Sequence, residues 1–187
     1  PSHRVALRGL ALPEVDAFAT PLGDVPVDTE LCERLARLPQ VQFLESCHAA
    51  EHSLEVQLPF LQNVLKDFKL VPLVVGLASP QEVADVLEFA WGGPETLIVI
   101  SSDLSHYQPY AQATVRDADT LQRIVSGRNH IGDQDACGAT AIRGLLHLAS
   151  EFGMKGELLD YRNSGDTAGD KSRVVGYAAV VFTEESR

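Results

Sequence analysis

The sequence has no excess of basic charge, no long apolar run and no paired set of cysteines, and each absence removes a class of function. Lys plus Arg number 15 against 26 Asp plus Glu, a net charge of −11. A field of that sign repels phosphate backbones and anionic lipid headgroups, so no nucleic acid is expected among the partners. Apolar runs such as residues 70–78 and 96–100 are short, and the first is punctuated by Pro72 and Gly76. They fall far below the roughly 20 residues that span a bilayer, so no membrane segment is expected. The three cysteines, Cys32, Cys47 and Cys137, are an odd and scattered set, and nothing at the start resembles a signal peptide. A disulfide framework does not fit that pattern, and a reducing, cytoplasmic location is expected. An initiator Met is also missing, because the chain opens Pro1-Ser2-His3; it is expected to begin inside a longer polypeptide.

What is present reads as one α/β domain. The 187 residues are 45% apolar, enough for one sizeable core, and a single domain over residues 1–187 is expected. No repeat, low-complexity tract or linker interrupts the alternation of strand-like and helix-like pattern, which points to a mixed sheet flanked by helices. Strands are expected over 4–11, 70–75, 96–100, 157–161 and 174–182; the second and third are apolar on both faces, as buried strands are. Ser79-Pro80-Gln81-Glu82 carries a capping Ser, Pro at the first helical position and Glu three residues after the cap, ahead of Val83, Val86, Leu87 and Ala90. Asp28 precedes the Leu31, Leu35, Leu38 stripe, and Leu54, Leu58, Leu61 and Leu65 form another that Pro59 should kink or divide. Asp135 is an expected N-cap for a helix over 139–149 with Ile142, Leu145, Leu146 and Ala149 facing inward.

Chemistry-bearing residues follow the apolar segment 96–100, which runs directly into Ser101-Ser102-Asp103-Leu104-Ser105-His106-Tyr107. Open α/β sheets place their sites at such carboxyl ends. A carboxylate and an imidazole three residues apart on a turn can form an acid/base pair, or the carboxylate can set the imidazole tautomer for proton transfer or metal binding. The same residues are equally compatible with Ser102 or Asp103 capping the next helix and His106 lying on the surface. Cys137 falls in the first turn of its expected helix, where backbone N–H groups favour a thiolate, a nucleophile or soft metal ligand; the alternative is a small buried hydrophobe. Cys32 reads as such a hydrophobe, and His130 and His147 receive no role. His48-Ala49-Ala50-Glu51-His52 matches the H-x-x-E-H pattern of inverted zinc peptidases. Three fixed positions in a pentapeptide carry little weight alone.

Three longer segments carry a family resemblance. Glu51-His52-Ser53-Leu54-Glu55-Val56-Gln57-Leu58-Pro59-Phe60 resembles the E-H-S-hydrophobic-E-x-x-L-P-aromatic hallmark of the Memo family. Ser101 to His106 resembles its S-S-D-x-x-H segment. The stretch Tyr161-Arg162-Asn163-Ser164-Gly165-Asp166, with Val174-Val175-Gly176-Tyr177-Ala178-Ala179, is similar to bacterial and archaeal members. The matches keep their order and span essentially the whole chain.

The resemblance implies a fold like that of the class III extradiol dioxygenases, with a vestigial metal site. It makes His3, in the family's G-P-S-H segment, and Cys137, in its C-G step, the metal ligands. Asp103 and His106 line the same pocket as catalytic groups that orient ligands or move protons. The family's earlier A-P-H-A-G-Y segment, which carries a further His with a strand and helix, has no counterpart here, and Cys47 and His48 match no pocket position. A His/His/Cys donor set favours Fe(II) first, with Cu or Zn as alternatives, and its oxidisable sulfur makes ring-opening chemistry an unsafe inference from fold. The expectation is a metal-binding, redox-linked protein of unassigned substrate. A non-catalytic module binding a peptide or another protein is the alternative, and an active Fe(II) extradiol dioxygenase a further one; a peptide or small molecule is the expected ligand. The resemblance also implies AMMECR-type and radical SAM proteins as partners.

Overall fold

Gly9 sets where the first strand begins. Its φ is 80°, and a Cβ at that position would lie 2.1 Å from the Gln40 carbonyl oxygen, so no other residue fits there without displacing the chain. In the computed structural model, which describes residues 1–184, β1 (Leu10–Leu12) therefore starts one residue later and takes only the end of the expected 4–11 strand. Contacts divide the chain into two units, Pro1–Ser101 and a second that begins at Ser102.

In the first unit β1 is followed by the hairpin β2 (Ala17–Thr20) and β3 (Gly23–Pro26), then α1 (Thr29–Leu35), β4 (Val41–Phe43), α2 (Leu58–Val64), β5 (Val74–Val75) and α3 (Pro80–Ala90). β1 lies between β4, parallel, and β5, antiparallel. Asp28 caps α1 as expected, accepting from Leu31 N–H at 3.1 Å. Cys32 is in the core on that helix; burial pushes its thiol up to about 11, with the Asp28 charge adding. Pro59 sits in the first turn of α2, where its missing N–H costs nothing, and so divides the Leu54 to Leu65 stripe. Both halves of the α3 capping box form, Glu82 N–H to Ser79 Oγ at 3.2 Å and Ser79 N–H to Glu82 Oε2 at 2.7 Å.

Two expected strands are cut back or absent. Pro72 offers no N–H to a ladder, so 70–75 pairs only at Val74–Val75, with Leu70 making an isolated bridge to Val27. Residues 96–100 form no strand, and Leu97 and Val99 are 63% and 44% exposed. A segment apolar on both faces becomes a buried strand only when neighbours cover its edges and faces, and no described strand pairs with this one.

The second unit contains β6 (His106–Gln108), α4 (Tyr110–Val125), α5 (Ala139–Glu151), β7 (Met154–Asn163), α6 (Ser164–Thr167) and β8 (Val174–Glu184). β8 is central in an antiparallel sheet of order β6-β8-β7, and both expected terminal strands form and extend past their expected limits. α4 was not expected; its buried positions Ala113, Asp117, Thr120, Leu121 and Ile124 keep a helical spacing, but two of them are polar and dilute the apolar stripe. Ile124, Ile131, Ala136, Ala139 and Leu146 form the core against Ile142, Val180 and Phe182. Asp135 does not cap α5, whose N-cap is Gly138. Its carboxylate instead accepts from Arg116, Arg123 and the Gly132 N–H.

The mixed α/β character is therefore observed, with the described strands distributed over three small sheets where one central sheet was expected. No helix among the described residues is long and apolar enough to cross a membrane.

Candidate metal centre

Asp103, His106 and Cys137 converge in the second unit, each half-buried, with one potential ligand atom from each lying within 4.8 Å of the others. Two stretches of chain are tied together there by their backbones. Cys137 N–H donates to the Asp103 carbonyl at 3.2 Å, and Asp103 N–H donates to Cys137 Sγ at 3.2 Å. Ser102 completes the clasp: its hydroxyl accepts from Gly138 N–H at 2.8 Å and donates to the Asp103 carbonyl at 2.7 Å. Cys137 lies one residue ahead of the α5 N-cap, just outside the first turn where the sequence placed it. His106 Nε2 stands 3.5 Å from Asp103 Oδ2, close enough for an ion pair whenever the ring is protonated.

The segment between them is held from below by α4 and β8. Asp117, fully buried, accepts from Ser105 N–H at 3.0 Å and from the Tyr161 hydroxyl at 2.9 Å. Leu104 N–H donates to the Gly176 carbonyl, and Gly176 N–H returns to Ser105. His106 then enters the sheet opposite Val175, and the register shifts before Gln108. At that irregularity Tyr107 adopts φ of 58°, the one non-glycine residue with positive φ among those described. Its exposed ring packs edge-on to His106 at 5.7 Å and carries the Arg173 guanidinium at 4.9 Å. The Tyr177 phenol is pushed up by burial first and by the Asp103 charge second.

His3 belongs to the first unit. Its backbone N–H and its ring Nδ1 both meet Glu51, at 2.9 Å each. This pairing dissolves the H-x-x-E-H reading. Residues 48–50 form a turn and 51–52 are irregular, so there is no helix with two imidazoles on one face. His48 is buried with Nε2 at 3.0 Å from the Ala11 carbonyl, and burial lowers its pKa despite that acceptor and the nearby Glu45 and Glu51. His52 is exposed and pairs with Glu55 at 2.6 Å. His147 faces Glu151 within its helix at 3.5 Å, and the His130 carbonyl accepts from Arg123.

Sequence reasoning missed Ser102 as a clasp, Asp117 as a buried anchor and Glu51 as the partner of His3. Only Asp117 left a local signal, a charged residue on what proves to be the inward face of α4. The donor set suits a borderline or soft cation: one sulfur, one imidazole and one carboxylate, already gathered by backbone hydrogen bonds.

Comparison with known proteins agrees with the motifs. A family model described as Memo-like protein matches residues 1–181. A MEMO1 family protein of Desulfurococcus amylolyticus is 35% identical over 179 positions, covering 88% of this chain and 63% of the relative. Another from Sulfolobus acidocaldarius is 37% identical with the same coverage, and one from Archaeoglobus fulgidus is 35% identical over 93% of this chain and 72% of its own length. The chain thus spans 63% of the first two of these relatives. A match that runs from the first residue to 181 and includes all the residues of the site places this chain in the Memo family.

Proposed function

We propose that this chain is a metal-binding, redox-linked protein of the Memo family whose second unit holds the ion through Cys137, His106 and Asp103. The observation that carries the reading is the approach of three different donor atoms to within 4.8 Å of one another. Cys137 supplies the soft donor and favours iron, then copper, with zinc as a further option. Bound iron would supply one-electron chemistry beside an oxidisable sulfur. His106 and Asp103, at 3.5 Å, also suit the exchange of a proton with a bound molecule. His3 is a metal donor by the family resemblance, and the extradiol dioxygenase-like fold and the AMMECR-type and radical SAM partners belong to the same proposal.

The test is metal analysis by mass spectrometry on anaerobically purified protein, with Cys137→Ser and His106→Ala beside it. Stoichiometric iron or copper lost in both variants is the expected result. Cobalt substitution gives a second readout, a sulfur-to-metal absorption band that Cys137→Ser should abolish. Metal-free wild-type protein that takes up no cobalt would remove the reading. A second reading, a non-catalytic binding module, is favoured by one observation: the exposed Tyr107 ring, held at positive φ with Arg173 stacked on it. Backbone outliers of this kind cluster at ligand sites, and an exposed ring offers a face for stacking. The extradiol option makes its own demand, oxygen uptake with catechols on Fe(II)-loaded protein, and silence in that assay sinks it.

A further inference from the structure

The carboxylate of Glu51 is spent on more hydrogen bonds than a surface residue gathers. Its side chain is 4% exposed. Oε2 accepts from His3 N–H at 2.9 Å, and Oε1 accepts from His52 N–H at 3.0 Å and Ser53 N–H at 3.2 Å. The His3 ring adds Nδ1 at 2.9 Å from Oε1 and 3.1 Å from Oε2. Three backbone N–H groups point at this one carboxylate, the environment of an anion that accepts from every side. An ionised carboxylate accepts and cannot donate. The proton shared with it therefore sits on Nδ1, and a neutral His3 ring carries its lone pair on Nε2. That ring is 46% exposed, and no hydrogen bond engages Nε2 among the described residues.

We propose that Glu51 is a positioning residue: it locks His3 in the Nδ1–H tautomer and turns Nε2 outward as a donor for a borderline divalent cation. The metal part rests on the reading of His3 as a metal donor, whereas the tautomer lock does not. Carboxylate–imidazole pairs act in this way on metal-binding histidines, setting both the tautomer and the ring orientation. The arrangement also explains why a glutamate inside the hallmark segment is buried while its neighbours His52 and Glu55 pair on the surface.

The test reads the tautomer directly in metal-free protein, by long-range proton–nitrogen correlation of the imidazole rings near neutral pH, with His3→Ala to assign the signals. Wild type is expected to show His3 protonated at Nδ1. Glu51→Gln keeps the volume but brings an amide that can donate to Nδ1, and Glu51→Ala removes the acceptor; both should give a mixture containing the Nε2–H form. The ring of buried His48 in the same unit reports whether folding persists, and where the alanine variant disturbs it the glutamine variant carries the test. Wild-type His3 protonated at Nε2, or an unchanged tautomer in folded Glu51→Gln, overturns the proposal. Zinc titration separates the two layers: an affinity about tenfold to a hundredfold weaker in Glu51→Gln supports both. A shifted tautomer with unchanged zinc binding supports the lock and overturns His3 as a donor.

Discussion

In the first unit a single imidazole is oriented by one carboxylate from 48 residues along the chain; in the second, three donor groups are gathered by backbone hydrogen bonds resting on a helix and a sheet. The two arrangements fail differently. A side-chain clamp such as Glu51 on His3 concentrates the orientation of the ring in one acceptor, so a single substitution releases it. The clasp of Ser102, Asp103 and Cys137 joins one backbone pair, Cys137 N–H to the Asp103 carbonyl, to bonds through Ser102 Oγ and Cys137 Sγ, so a single side-chain substitution removes only part of it. Displacing the whole group at once requires moving the backbone beneath it, which Asp117 and Gly176 hold.

The largest effect is therefore expected from a collision under the second group. A Cβ on Gly176 would stand 2.1 Å from Asp117 Oδ2 and 3.1 Å from Leu104 Cβ. Asp117 cannot swing aside, because it already holds Ser105 N–H and the Tyr161 hydroxyl in a fully buried position. Gly176→Ala should cost about 3 kcal/mol, at the upper end of overpacking penalties, seen as a lowered midpoint in denaturant unfolding. Loss of cobalt absorption at Cys137 should accompany it. A variant as stable as wild type would mean that β8 and α4 have room to separate and that the scaffold is softer than its hydrogen bonds imply.

The same contrast decides what could be read from sequence. Asp103 and His106 are three residues apart in one short segment, and their convergence with Cys137 accords with the family's motif order. Glu51 was visible too, but local spacing attached it to His48 and His52, whereas its partner is His3; a long-range pair leaves no periodic trace. The two long strands of the second unit were legible because β7 and β8 pair with each other and need no third element to define their limits. Residues 96–100 were not, because an apolar run states that a segment can be buried without stating what covers it. Asp135 had the chemistry of a cap and the wrong position, and its use by two arginines depends on α4, whose mixed apolar and polar inner face concealed it.

A smaller, pH-dependent effect should distinguish the first unit. His48 is buried and its folded pKa lies below its ordinary 6.5, chiefly because burial disfavours the charged ring. A depressed imidazole contributes stability that is complete above 6.5 and is lost as pH falls through that value toward the folded one, since only the unfolded chain takes the proton. Wild-type protein should therefore lose stability on moving from about pH 7 to about pH 5, and His48→Gln, which can still donate to the Ala11 carbonyl, should lose less over the same interval. Parallel slopes for the two proteins would show that the ring charges in the folded state and that His48 is not the acid-sensitive element.

The smallest effect tests whether a clamp can be dismantled in halves. The α3 capping box is reciprocal: Ser79 Oγ accepts from Glu82 N–H, while Glu82 accepts from Ser79 N–H. Ser79→Ala removes the first bond and leaves the second, because alanine keeps the backbone donor. An N-cap loss of about 1 kcal/mol is expected, read as a modest shift of the unfolding midpoint. The Ser79 backbone N–H is the main cause that holds the Glu82 carboxyl below its usual range, followed by the Ser79 hydroxyl. In the variant that carboxyl should rise only part of the way back when followed by carboxyl NMR. A full return would mean that losing the hydroxyl also unseats the backbone donor, so that the box, like the Glu51 clamp, stands or falls as one unit.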